Sequence, residues 1–289
     1  MKKILKLWSL LICIVLLTGC IKRDNLEDVT IYTTVYPIEY LVDEIYGYNS
    51  EVKSIYPDEI NINEYSLTAK QIKDYSNNSS VFVYNGLSNE KKIAAKMLNA
   101  NSNLKIIDVT KGLEYINSVE ELWVSPANYL MMAQNIKNSL KEYVTNKYIK
   151  EEIDSNYEDL KVDISNIDAE LKIIAENANN KSLIVNDKMF SFLEKYGFEV
   201  IVIDDDQAID NLIIKKATSL INNKDINYIF IKEGTEISNN LKNITDNKKV
   251  ETIIFKNMTT LTENQRNNNT NYIDMMKENV EAIKNEVYN

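Results

Sequence analysis

Between residues 150 and 177 the chain has no glycine or proline, and Ile153, Tyr157, Leu160, Ile164, Ile167, Leu171 and Ile174 follow one another at alternating steps of four and three. That spacing places all seven side chains on one face of a single α-helix. From Lys150 to Asn177 such a helix is roughly 40 Å long at 1.5 Å per residue. Any fold of this chain must give that face a continuous apolar surface to lie on. Two arrangements meet the requirement. The stripe can be the seam of a coiled coil, for which three to four heptads is the lower limit. It can equally be a spine packed on both flanking halves of its own chain, which would make those halves semi-rigid instead of freely hinged.

The flanking halves read alike. Before the stripe, short apolar runs at Val29–Val35, Val52–Tyr56, Ser80–Tyr84 and Leu104–Asp108 alternate with helical stretches at Glu39–Tyr46, Thr68–Tyr75 and Asn89–Met97. After it the same alternation returns at Ser182–Val185, Glu199–Ile203, Asn227–Ile231 and Val250–Phe255. Strands separated by helices predict parallel α/β layers. The expected architecture is two parallel-sheet α/β lobes, over residues 29–148 and 179–289, joined by a long helix over 149–178.

The start of the chain is of a different kind. Lys2, Lys3 and Lys6 precede an apolar run from Leu7 to Leu17. This is a basic segment followed by an apolar one of signal-peptide length, shorter than the ~20 residues that span a membrane. Leu17-Thr18-Gly19-Cys20 closes the run and resembles the bacterial lipobox, in which the cysteine is acylated and becomes the first residue after cleavage. The expected division is a signal peptide over 1–19 and a lipid anchor on Cys20 with a polar tether over 20–28. The only other cysteine, Cys13, lies in the segment that cleavage removes, so a disulfide-stapled scaffold is excluded. The expected location is extracytoplasmic, on the cell membrane.

Composition narrows function further. The net charge is −10, and losing the signal removes three lysines and no acids, which argues against a nucleic-acid partner. Histidine is absent. A histidine-based triad and a His/Cys zinc site are therefore unavailable. No motif brings two carboxylates together for glycosidase-like chemistry, so no enzyme is expected.

At this point a family resemblance emerges. The stretch from VTIYTTVYPIEYLVDEIYGYNSEV through IYPDEININEYSLT to VFVYNGLSNE is similar to the N-terminal lobe of the TroA-like zinc- and manganese-binding lipoproteins of bacterial metal ABC importers, the adhesin-type lipoproteins. LWVSPANYLMMAQNI, VNDKMFSFLEKYGFEV and TNYIDMMKENVEAIKNEV resemble later segments of that family in the same order. The three prolines, Pro37, Pro57 and Pro126, fall on proline positions of the pattern, and Gly47, Gly86 and Gly197 fit it too. Pro126 after Ser125 suits the first turn of a serine-capped helix, and Gly86 after Asn85 suits a tight turn at a strand end. The resemblance implies two parallel-sheet α/β lobes joined by a long rigid helix, a ligand cleft between the lobes, and delivery of a ligand to a permease and its ATPase.

The family holds its metal with four side chains, mostly histidines. Followed residue by residue, that register falls on Asn63, Glu121, Asn186 and Lys256. Two amides, one acid and one ammonium do not make a normal zinc or manganese site, although zinc or manganese would be the ligand if the family function persists. An ammonium in the first shell would repel a divalent cation by several kcal/mol at an effective dielectric of ~20. Three expectations follow. Lys256 can replace the metal and pair with Glu121, with Asn63 and Asn186 completing its hydrogen bonds, closing the cleft without ligand. The Glu/Lys pair can instead hold a small zwitterion such as an amino acid, walled by Tyr65 and Trp123, whose plainer role is core packing. Or acids outside the register, such as Glu64, Asp187 or Glu233, can take a metal. The corresponding function is that of a solute-binding protein of an importer; the alternative is a surface adhesin that has kept the fold and engages a host or surface protein.

Overall fold

The computed structural model describes residues 24–205, 211–246 and 248–288. The signal peptide and Cys20 lie outside the described residues. In the N-terminal lobe β1 (Val29–Thr33), α1 (Tyr36–Tyr46), β2 (Ser50–Ser54), α2 (Ala69–Asn77), β3 (Val81–Tyr84), α3 (Glu90–Ala100) and β4 (Lys105–Asp108) alternate. All strand pairs are parallel, in the order β2-β1-β3-β4. A short helix α4 (Glu121–Val124) and α5 (Pro126–Tyr143) then lead to α6 (Lys147–Asn177). The second lobe follows with β5 (Ser182–Val185), a 3-10 segment (Lys188–Tyr196), β6 (Glu199–Val202), α7 (Asn211–Asn223), β7 (Tyr228–Lys232), α8 (Asn239–Thr245) and β8 (Glu251–Phe255). Its strands are again parallel, in the order β6-β5-β7-β8. The helices α9 (Glu263–Asn267) and α10 (Tyr272–Val287) end the chain.

The strand sequences account for the order. VFVY of β3 is buried at every position, and so is SLIV of β5, as strands covered on both faces require. Edge strands β2, β6 and β8 carry Glu51 and Lys53, Glu199, and Glu251, which keeps the sheet rims in water. Gly86 has a close-approach role: a Cβ there would lie 1.9 Å from the Asp108 carboxylate, which accepts a hydrogen bond from the Gly86 amide. Ser125 does not cap α5 by its side chain; its Oγ accepts from Lys195 Nζ at 2.6 Å.

The spine α6 runs 31 residues and is capped by Asn146, whose side chain accepts from the Tyr148 amide. Its stripe is buried along the whole length, against α1, α5 and α10 of the same chain. The coiled-coil seam is thereby set aside: the apolar face is fully used inside one molecule. One continuous apolar core extends from Leu26 through the stripe to Val287, with smaller clusters in each lobe. Tyr272 of α10 stacks on Tyr129 at 4.0 Å and on Tyr40 at 5.8 Å between centroids, so the last helix seals the first lobe.

The tether departs from expectation from Asp24 onward. Residues 24–28 form a turn docked on the lobe, with Leu26 fully buried and its carbonyl accepting from Tyr46 OH at 2.9 Å. A polar string with one leucine reads as tether until that leucine finds a pocket. Among the described residues no helix is long and apolar enough to cross a membrane.

Candidate functional site

Each lobe presents the carboxyl ends of its strands to the other, where ligands of open α/β sheets are held. A cavity of about 510 Å³ lies there, bounded by residues 59–63, Val119, Glu120 and Trp123 on one side and by 232–235, Asn257 and 259–262 on the other. A second cavity of about 740 Å³ opens beside it in the N-terminal lobe and shares Ile62, Asn63, Val119 and Trp123 with it. Glu90 lines this second space, and burial pushes its carboxyl up to about 7.

The strongest feature of the cleft is an ionic brace. Lys232, the last residue of β7, places its Nζ 2.5 Å from Glu120 and 3.4 Å from Asp187. Glu120 belongs to the first lobe, just before α4, and Asp187 follows β5 in the second. The Lys232 and Glu120 side chains are 15% and 14% exposed, so the pair is largely withdrawn from water. Burial works against the Glu120 carboxylate, but the Lys232 ammonium outweighs it and holds the carboxyl below its ordinary value. Burial likewise lowers Lys232, and Glu120 followed by Asp187 overcomes this and raises it above the usual lysine value. Ser118 Oγ donates to the other Glu120 oxygen.

The four register positions do not assemble into one shell. Asn186 is buried beside the brace: its Oδ1 accepts from the Lys232 amide at 2.8 Å and its Nδ2 donates to Thr235 Oγ1 at 2.8 Å. Asn63 is exposed on the cleft wall. Glu121 turns away and accepts the amides of Ile116, Asn117 and Ser118, which fixes the loop before α4. Lys256 pairs with Glu278 of α10, and its amide donates to Asn279 Oδ1. The expected Lys256–Glu121 pair is therefore corrected, both as a self-closing charge pair and as a cradle for a zwitterion. A lysine–carboxylate pair does span the cleft, formed by Lys232 and Glu120.

Trp123 is buried and joins the lobes, its Nε1 donating to the Asn257 carbonyl at 2.7 Å and its own carbonyl accepting from Tyr272 OH. Tyr65 lines the larger cavity, accepts from Gln71 Nε2 and meets Tyr56 edge-on. Of the acids outside the register, Asp187 joins the brace, Glu233 is pushed up by burial and accepts the Asn257 amide, and Glu64 is exposed and bound to Asn61. Among the described residues no group of three or more His, Cys, Asp or Glu side chains is placed to hold a metal ion. Glu120 and Asp187 converge, but on an ammonium.

A second brace lies at the cleft rim. Arg266 of α9 reaches Glu39 of α1 at 2.6 Å and Asp58 at 2.7 Å, with its guanidinium 5.9 Å from the Tyr36 ring centroid. Backbone bonds run beside it, from Tyr36 N to the Thr259 carbonyl and from Glu59 N to the Leu261 carbonyl. Sequence reading missed Glu120, Lys232 and Arg266. Lys232 had one signal, a charge ending the otherwise apolar strand YIFIK.

Two matched α/β lobes on a rigid helix, closed over a cleft, define a two-lobed solute-binding protein. Residues 31–286 match the model of the family described as the periplasmic component A of the zinc-uptake complex, ZnuA, and the chain belongs to that family. No curated protein sequence matches it significantly. Solved structures share the fold. The metal-dependent lipoprotein YcdH from Bacillus subtilis is 18% identical, with a TM-score of 0.75 over 91% of this chain and 100% of that one. The Zn(II)-bound ZnuA-like domain of AdcA from Streptococcus pneumoniae is 21% identical, with a TM-score of 0.73 and the same coverage. The laminin-binding protein Lbp of Streptococcus pyogenes is 15% identical, with a TM-score of 0.69 over 90% of this chain and 99% of that one.

Proposed function

We propose that this chain is a lipid-anchored, extracytoplasmic solute-binding protein of a metal-type ABC importer in which Lys232 takes the place of the cargo cation. Cys20 carries the lipid in this reading, and a membrane permease with its ATPase is the partner. The observation that carries it is the Lys232 ammonium held by Glu120 from one lobe and Asp187 from the other. A divalent cation drawing the lobes together would sit among carboxylates of both; here a side chain supplies the charge. Asn186, on the family register, braces the same lysine through its backbone, which supports placing Lys232 at the family's binding locus.

The test uses residues 21–289 with zinc, manganese, nickel and iron(II), reading bound metal and melting temperature. The unaltered protein is expected to take up no stoichiometric metal and to show no shift. Lys232→Met frees two facing carboxylates, so manganese is expected to raise its melting temperature. Stoichiometric zinc or manganese on the unaltered protein, with a raised melting temperature, would overturn the reading. A second reading, a surface lipoprotein engaging a host protein, draws on the same closure without cargo and on the laminin-binding relative of this fold. It predicts that neither protein binds metal or amino acids.

A further inference from the structure

The docked turn that begins at Asp24 constrains how the molecule stands on a membrane. Asp24 Oδ2 accepts from the Thr145 amide at 2.7 Å, Thr145 Oγ1 at 2.8 Å and the Asn146 amide at 2.7 Å, and Oδ1 accepts from the Leu26 amide. The Asp28 amide donates to the Asn49 carbonyl at 2.9 Å. These contacts weld residues 24–28 to the floor of the N-terminal lobe, where β1 and β2 start and the spine begins. The cleft is at the opposite ends of those strands, a further ~16 Å along β1 at ~3.3 Å per residue.

Three residues separate Cys20 from Asp24, four Cα steps with a reach of at most ~14 Å. A domain of this length has a radius of gyration of roughly 18 Å. A leash that short, fixed to the floor, does not let the molecule invert. We propose that the Asp24 clamp makes the floor of the N-terminal lobe the membrane-facing surface and holds the cleft away from the bilayer; this rests on the lipid-anchor reading above. The occupant of the floor is the lipid headgroup layer. Two large aromatics stand out on it, Tyr48 at 89% and Tyr148 at 80% exposure. The segments that carry them meet at the Asn49–Glu152 hydrogen bond, one residue after Tyr48 and one helical turn after Tyr148. A ring with a hydroxyl tip suits the boundary between headgroups and acyl chains. Glu51, Glu151 and Glu152 share the floor with Lys147, so the short clamped leash, not a basic patch, sets this face toward the bilayer, and the aromatics are compatible with it without fixing it. A permease in the same membrane meets the cleft only after residues 24–28 peel away, which lengthens the leash to eight residues, nine Cα steps and at most ~32 Å.

The test is energy transfer from a donor dye to a headgroup-labelled lipid, with the full-length lipoprotein in phosphatidylcholine/phosphatidylglycerol vesicles. The dye is placed on a cysteine replacing Tyr148 or Asn61, on floor and cleft respectively. Mass analysis of the N-terminal peptide first establishes the lipid on Cys20; its absence removes the anchor reading, and this inference with it. With lipid present, transfer is expected to be several-fold stronger from position 148 than from position 61. Asp24→Ala, or a long Gly/Ser insertion after Ile21 that leaves the clamp intact, is expected to erase most of the difference. Equal transfer in the unaltered protein, or a difference that survives the insertion, would overturn the proposal.

Discussion

Lys232 and Arg266 each bridge the lobes by setting one cation between two carboxylates, yet their surroundings differ. The Lys232 side chain is 15% exposed and sits inside the cleft on partners from both lobes. The Arg266 side chain is 40% exposed and sits at the rim, on two partners from one lobe. A buried pair that loses one member leaves a charge with no water to solvate it, whereas an exposed pair hands its charge back to solvent. The partners complicate the contrast: Glu39 is 13% exposed, as buried as Glu120, while Asp58 is 28% exposed. The inner brace, withdrawn from water on both sides of the pair, should therefore be the costlier to break, and the outer one cheaper only because its cation is open to solvent.

The comparison can be broken at its strongest point first. Lys232→Met should destabilise by about 3 kcal/mol, lowering the melting temperature by roughly 6–12 °C in a domain of this size. Adding Glu120→Gln should return much of that loss, because the stranded carboxylate is gone. A loss as small as that of a rim variant would place Lys232 in water.

Acid sharpens the same contrast. The Glu120 carboxyl lies below its ordinary value, so its contribution is present above that value and lost as pH falls through the folded one. The melting-temperature gap between the unaltered protein and Lys232→Met should shrink as pH falls below the ordinary glutamate value and through the lowered one, where Glu120 gains a proton in the unaltered protein as well. A gap that stays constant down to pH 3 would assign the effect to packing of the lysine stem.

Arg266→Gln should cost about 2 kcal/mol and roughly 4–8 °C, less than Lys232→Met because the glutamine amide can still donate to the stranded Glu39, which is 13% exposed. Lys256→Met is the smallest change. Its partner Glu278 is 60% exposed, and the expected effect is within ~0.5 kcal/mol. A drop comparable to that of Lys232→Met would reinstate the pairing with Glu121 that the register suggests.

Much of the fold is readable from the chain because burial leaves a pattern. The strands of both lobes stand out as β-branched and aromatic runs, and the stripe from Ile153 to Ile174 is buried at every step. The cleft is harder. Glu120 and Glu121 are adjacent, and at the start of a helix one residue is ~100° of rotation. One of them caps a loop while the other crosses the cleft. Composition and periodicity do not distinguish two like acids; only the path of the loop does. Lys232 and Lys256 both lie at the ends of parallel strands, so register alone offers two lysines for one place. The docking of Asp24 depends on two amides 121 and 122 residues away.

The position of α10 also bears on the order in which the molecule can be made. Tyr272 completes the packing around Tyr129 and Tyr40, and Val280, Ile283 and Val287 fill the core beside the spine. The first lobe is fully synthesised at Asn146, but its sealing helix begins at Tyr272. At 5–20 residues per second that is a delay of roughly 6–25 s. During it Tyr129 and Tyr40 lack the ring that covers them, so the core of the first lobe is incomplete. For a protein read as exported, late sealing keeps the polypeptide threadable until its last helix has been made.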